Sequence, residues 1–282
     1  MKNKKAITEK KLDAMIDKAM FYLEEGDGKK AIELCEELTL LARQSETFEL
    51  ITAALSSLSC VYAHEAHFKK AILIGQEWLR LAKKNKSPTE VMWALYSLAG
   101  TYGRSGNHKK TIQCFEKCLV LAKESGDSGK ITYARSSLAN AFFWSENHEK
   151  SIPLLEENLI VAKELKDLLQ IRLTISGLVL AYESSGNRNK AKQLCEEMLC
   201  VAWKSKNMHM IASALAWLSA FEEGGKTKKV FQLIHERCQL AGEIENSSSL
   251  KTAVQWLADA YEKTGKRKAL AQLRKNHLRF CS

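Results

Sequence analysis

The sequence predicts an all-α fold, a solenoid of about seven stacked helix-turn-helix repeats, from three observations. An alanine closes successive repeats at Ala42, Ala82, Ala122, Ala162, Ala202 and Ala241, in steps of 40, 40, 40, 40 and 39 residues. Within each repeat the apolar residues recur at i, i+3, i+4 and i+7, the spacing of one face of an α-helix. No β-branched run alternates with polar residues between turn signals, so strands are not expected. A fixed period of this length marks an array rather than a single globule.

The third repeat shows the elements in order. The segment 95-LYSLAGTYGRSGNHKKTIQCFEKCLVLA-122 recurs as 135-RSSLANAFFWSENHEKSIPLLEENLIVA-162 and as 175-ISGLVLAYESSGNRNKAKQLCEEMLCVA-202. Its first helix carries the stripe Leu95, Leu98, Ala99 and Tyr102; the segment Gly103–Lys109 supplies turn residues. Its second helix carries Ile112, Phe115, Cys118, Leu119 and Ala122. Small residues recur on the first helices (Ala19, Ser59, Ala99, Ala139, Ala258) and at the start of the second (Ala31, Ala71, Thr111, Ser151, Ala191, Ala269). They let two antiparallel helices approach, and an aromatic (Tyr22, Tyr62, Tyr102, Phe142, Tyr182, Phe221, Tyr261) fills the gap between them. Pro88 is expected at a helix start and Pro153 in the first turn of a second helix, where a missing N–H is tolerated. The repeats fall at about 12–46, 47–86, 87–126, 127–166, 167–206, 207–245 and 246–282, a single superhelical domain 12–282 after a basic, frayed lead 1–11.

The order Leu98-Ala99, Tyr102, Gly106 and Thr111 (for Ala) resembles the signature of the tetratricopeptide-repeat (TPR) family. The 40-residue period and the endings 119-LVLAKESGD-127 and 159-LIVAKELKD-167 resemble its longer-repeat branch. That branch includes the cell-polarity adaptor LGN, rapsyn and bacterial peptide-sensing regulators. The resemblance covers roughly residues 12–280 and implies a right-handed α-solenoid with its first helices lining a concave, ligand-binding side. Two departures stand out: the family's frequent Pro after the second helix is absent, and Lys18 holds the first repeat's Leu place. A polar residue suits that place, because no earlier repeat exists to bury a leucine there.

The binding surface follows from the helical period. Opposite the core stripe, at about 100° per residue, the third repeat carries Trp93, Tyr96, Ser97, Gly100 and Arg104. The fourth carries Tyr133, Ser136, Ser137, Asn140 and Trp144, with Phe143 at the edge. Large aromatics among small residues, beside Arg and Asn, suit an anchor pocket for an extended peptide or helix. The competing reading is that these rings pack only against neighbouring first helices. The candidate partner-binding residues are Trp93, Tyr96, Arg104, Tyr133, Asn140 and Trp144. The equivalent places elsewhere differ, which points to one directional partner rather than a repeated code. The two-carboxylate clamp that some TPR proteins use is matched only at Asn140, with Arg104 as one basic member. Arg135, on the core stripe, requires pairing or an outward-reaching guanidinium.

Charge argues against nucleic acid. The net charge of +10 sits on the ends: residues 1–11 carry +4 and residues 263–282 carry +7, leaving 31 basic and 32 acidic residues in the body. A phosphate-tracking groove needs the excess along the body. No apolar run approaches 18 residues, so no membrane span is expected, and the N-terminus lacks a signal-peptide core. The eight cysteines lack a second CxxC or a His pair for a metal site. They read as reduced, mostly buried residues of a cytoplasmic chain. His64-Glu65-Ala66-His67 is one residue short of the zinc-protease spacing, and no phosphate-cradling loop, GxGxxG or GxSxG is present. The chain therefore reads as a scaffold or adaptor, not an enzyme, needing no cofactor or metal and binding another protein's peptide or helix. The alternatives are a peptide-sensing regulatory module and, below it, an RNA-binding TPR protein; self-association through the open solenoid ends is compatible with each.

Overall fold

Eleven helices succeed one another in the computed structural model, which describes residues 8–205 and 207–222 and isolated positions between 255 and 273. They are α1 (Glu9–Glu24), α2 (Gly28–Ser45), α3 (Phe48–His64), α4 (Phe68–Lys84), α5 (Pro88–Arg104), α6 (His108–Ser125), α7 (Ser128–Trp144), α8 (His148–Glu164), α9 (Leu168–Ser184), α10 (Arg188–Ser205) and α11 (Met208–Glu222). Among the described residues there is no strand, and the architecture is the all-α solenoid that the period predicts. The sixth repeat's second helix and most of the seventh repeat lie outside the described residues, with Cys238, Ala241, Trp256, Ala269 and Cys281. The chain divides into two compact units, Met1–Ser145 and Glu146–Ser282.

The turns repeat as faithfully as the helices. Positive φ occurs at Gly26, Ala66, Gly106, Glu146 and Gly186, one place per repeat, and again at Glu46, Lys86, Gly126 and Lys166. At the first of these sites the chain folds back on the aromatic's carbonyl: Asp27, His67, Asn107 and Asn187 donate their N–H to Tyr22, Tyr62, Tyr102 and Tyr182. That is the closing bond of a left-handed helix stop, where glycine is the least strained residue. The next helix is then capped, as when Asp27 accepts from Lys30 N–H at 3.2 Å and Asn107 from Lys110 N–H at 3.1 Å.

The small residues are buried as the pattern requires: Ala19, Ala31, Ala71, Ala99, Ala139, Ser151 and Ala191 are fully enclosed. Ser59 shows the closeness they permit, its hydroxyl lying 3.2 Å from the Ala71 carbonyl and 3.0 Å from the Ser97 hydroxyl. Tyr62, Tyr102, Phe142, Tyr182 and Phe221 are likewise buried. Tyr62 and Tyr182 reach back one repeat and donate to Glu36 and Glu156. Lys18 is exposed, its ammonium over the Tyr22 ring.

Three placements differ from the sequence reading. Helix α1 begins at Glu9 behind a Thr8 cap, so Glu9–Lys11 are helical rather than frayed. Pro153 lies in the second turn of α8, not the first, and the helix runs through it. Its ring removes a donor that would otherwise bond within the helix. The cysteines are less uniformly buried than expected: Cys35, Cys118 and Cys195 are enclosed, Cys114 is half-buried, and Cys60 and Cys200 are exposed. None of these six forms a disulfide.

Candidate functional site

A trough of about 740 Å³ runs along α3 and α5 in the N-terminal unit. Trp93, Tyr96, Ser97, Gly100 and Arg104 line it from α5, and Thr52, Ala53, Ser56 and Cys60 from α3. From Glu90 to Arg104 the wall is about 20 Å long at 1.5 Å per residue. Carboxylates (Glu49, Glu90) stand at its helix-start end and the Arg104 guanidinium at the other. Glu90 is engaged, accepting from the Trp78 indole N–H at 2.8 Å.

Three of the sequence-selected residues form one ring cluster: Trp93 and Tyr96, which line the trough, and Tyr133 of α7, which does not. The Trp93 and Tyr96 rings are 5.6 Å apart, Tyr96 and Tyr133 5.0 Å, and Trp93 and Tyr133 6.4 Å, all tilted. These are separations at which aromatic rings attract beyond simple burial. Phe115 backs Tyr96 at 5.5 Å. Tyr96 is half-buried and acts as the hub, while Trp93 is 42% and Tyr133 55% exposed. The competing reading, rings buried purely as packing, fits Tyr96 but not its two neighbours.

The Tyr96 hydroxyl is enclosed and makes no hydrogen bond; the nearby Ser137 hydroxyl donates to the Tyr133 carbonyl at 3.0 Å instead. Burial pushes this phenol well above its ordinary pKa, and the Cys118 thiol adds to the effect. It is therefore a neutral, fixed ring support at any physiological pH.

Arg104 is exposed at the trough's far end. Asn140 and Trp144 are exposed on α7 but do not line the trough; Trp144 stands edge-on to Phe143 at 5.5 Å and is 72% exposed. Arg135 is buried, at 9% exposure, as its core-stripe place requires.

The structure also brings out residues that the sequence reading passed over. Leu169 and Leu173 of α9, one repeat on from Gly129 and Tyr133, are 55% and 48% exposed in the C-terminal unit. The signal was available, since Leu173 shares the repeat place of Trp93 and Tyr133. Leucine is also the ordinary core residue, however, and carries no mark of its own. His64 and His67 do not share a helix: His64 ends α3, and His67 precedes α4 beyond a left-handed turn at Ala66. Among the described residues no group of three or more His, Cys, Asp or Glu could hold a metal, and no helix is long and apolar enough to cross a membrane.

This repeated hairpin, with its small-residue contacts and aromatic gap-filler, defines the class: the chain belongs to the tetratricopeptide-repeat family. The tetratricopeptide repeat model matches residues 94–124. The model described as anaphase-promoting complex subunit 5 matches three times, at residues 9–64, 44–101 and 172–225, as a motif recurring along the chain does. No curated protein sequence matches. Among solved structures, a kinesin-light-chain-like protein of Podosopora anserina with nearly identical TPR-like repeats is 19% identical. Its TM-score is 0.61 over 70% of this chain and 97% of that one. The apo form of RapI is 14% identical, TM-score 0.62, over 95% and 97%. A Rap protein complexed with competence and sporulation factor is 12% identical, TM-score 0.57, over 94% and 73%. At these identities the likeness shows the fold.

Proposed function

We propose that the chain is a non-catalytic protein-interaction scaffold whose trough along α3 and α5 takes a peptide or helical segment of a partner. The observation that carries this is the pair of exposed rings, Trp93 and Tyr133, held in place by Tyr96 beside an open trough. Covering the exposed parts of two such rings is worth on the order of 5 kcal/mol at about 25 cal/mol per Å². Association alone costs a comparable amount, so the rings act as anchors and the polar wall must add further contacts. Ser56 and Arg104 supply donors for a backbone or an acidic group along it. Asn140 and Trp144 extend the same reading onto α7. The Rap protein bound to competence and sporulation factor supports it, as a chain of this fold that holds a ligand.

The test is affinity capture with the intact protein and with a W93A/R104A variant, after circular dichroism has shown equal helicity. We expect the variant to lose at least one partner that the intact protein retains. An unchanged partner set would rule out the trough.

A further inference from the structure

A second groove lies on the opposite helices of the N-terminal unit, between α4 and α6. It encloses about 580 Å³ over a floor of Leu79, Val91, Leu95 and Leu121, with Val120, 55% exposed, on its lip. Lys83 and Lys117 line it, together with Glu116.

The repeat supplies an internal standard for this groove. A cation closes the second helix at Arg43, Lys83, Lys123 and Lys163, and the residues thirty-four places on are Glu77, Lys117, Glu157 and Glu197. In two of these pairs the ends meet: Arg43 bonds both oxygens of Glu77 at 2.8 Å, and Lys163 bonds Glu197 at 2.5 Å. Among the described residues only Lys117 puts a cation in the carboxylate's place; Glu37 holds that place in the first repeat. The matching groove between α8 and α10, about 450 Å³, is balanced, with Lys163 and Lys190 against Glu156 and Glu197. The α4–α6 groove holds two ammonium groups against one carboxylate. Lys83 lies in the last turn of α4, where a cation suits the helix end. Lys117 sits in mid-helix and has no such role.

We propose that the α4–α6 groove docks an acidic segment of a partner protein. Its carboxylate takes the bridging place between Lys83 and Lys117, and its flanking apolar side chains lie over Leu79, Leu121 and Val120. An exposed ion pair adds little affinity by itself, so the floor supplies the attraction and the lysines decide which segment fits. This site is separate from the α3–α5 trough and does not rest on it.

The test uses the full chain and two libraries of fluorescein-labelled, helix-biased 14-residue peptides. One has a single Glu flanked by Leu three residues before and four after; the other has Gln in its place. The wild-type protein is expected to retain the Glu library at least ten-fold better than the Gln library. K117E, which restores the bridge within the chain, is expected to lose that preference with its Tm equal or higher. W93A/Y133A is expected to keep it. Equal retention of the two libraries by wild type, an undiminished preference in K117E, or loss of the preference in W93A/Y133A would each overturn the proposal. So would K117E-sensitive binding to vesicles of four parts phosphatidylcholine to one of phosphatidylserine without the peptide preference.

Discussion

Burying a carboxylate costs free energy unless its oxygens are partnered, and Glu183 on α9 is only 4% exposed with one oxygen that makes no hydrogen bond. Burial raises its pKa above the ordinary value of 4.5, while the Arg188 guanidinium pulls it down. Below about pH 4.5 the group is protonated both folded and unfolded and carries no penalty. As pH rises through the raised native value, the folded protein acquires a buried charge that the unfolded chain hydrates freely, so stability falls. We expect the Tm advantage of E183Q over wild type to be larger at pH 7.5 than at pH 5, read by thermal unfolding at both. A pH-independent difference would contradict this account. Tyr62 and Tyr182 behave differently, although burial and their carboxylate partners push both phenols up to about 12. They remain neutral donors throughout and lock one repeat to the last without a titration step.

At the scale of the element, the spacing of α4 and α5 is set by a missing side chain. A Cβ on Gly75 would stand 2.8 Å from Leu98 Cδ2 and 3.0 Å from its Cγ. The same repeat place holds Cys35, Phe115, Leu155 and Cys195 elsewhere, so Leu98 uses volume that other repeats fill from the second helix. Gly75→Leu is expected to destabilise the protein by about 2 kcal/mol through overpacking, measured by urea unfolding. A neutral effect would mean that Leu98 moves aside freely. The turns were legible in sequence wherever glycine marked them, at Gly26, Gly106 and Gly186. They were not legible at Ala66 and Glu146, where the repeat imposes the same left-handed turn on residues that do not advertise it. Pro153 misled for a related reason: the cap at Asn147 starts α8 earlier than a first-turn proline requires.

At the scale of the whole molecule, a solenoid is held together mainly by neighbour-to-neighbour contacts, so damage is expected to stay local. Ile175 is fully buried in α9 of the C-terminal unit. Ile175→Ala is expected to cost about 3 kcal/mol from lost burial and the cavity left behind. By hydrogen exchange, protection should fall in α8–α10 and hold in α2–α5. Uniform loss along the chain would show one cooperative block instead.

The period, the helices, the buried small residues and the aromatic gap-fillers all followed from the sequence, because each is a local pattern that the array repeats. So did Trp93, Tyr96 and Tyr133 as members of one surface, since helical phase alone puts them on the same side. Their division of labour did not follow: Tyr96 is the half-buried support, Trp93 and Tyr133 are the exposed faces, and Tyr133, Asn140 and Trp144 stand outside the trough. Phase gives a direction from the helix axis, but exposure depends on how closely the next helix approaches. That distance is set by side chains dozens of residues away, such as Ser59 against Ser97 and Gly75 beneath Leu98.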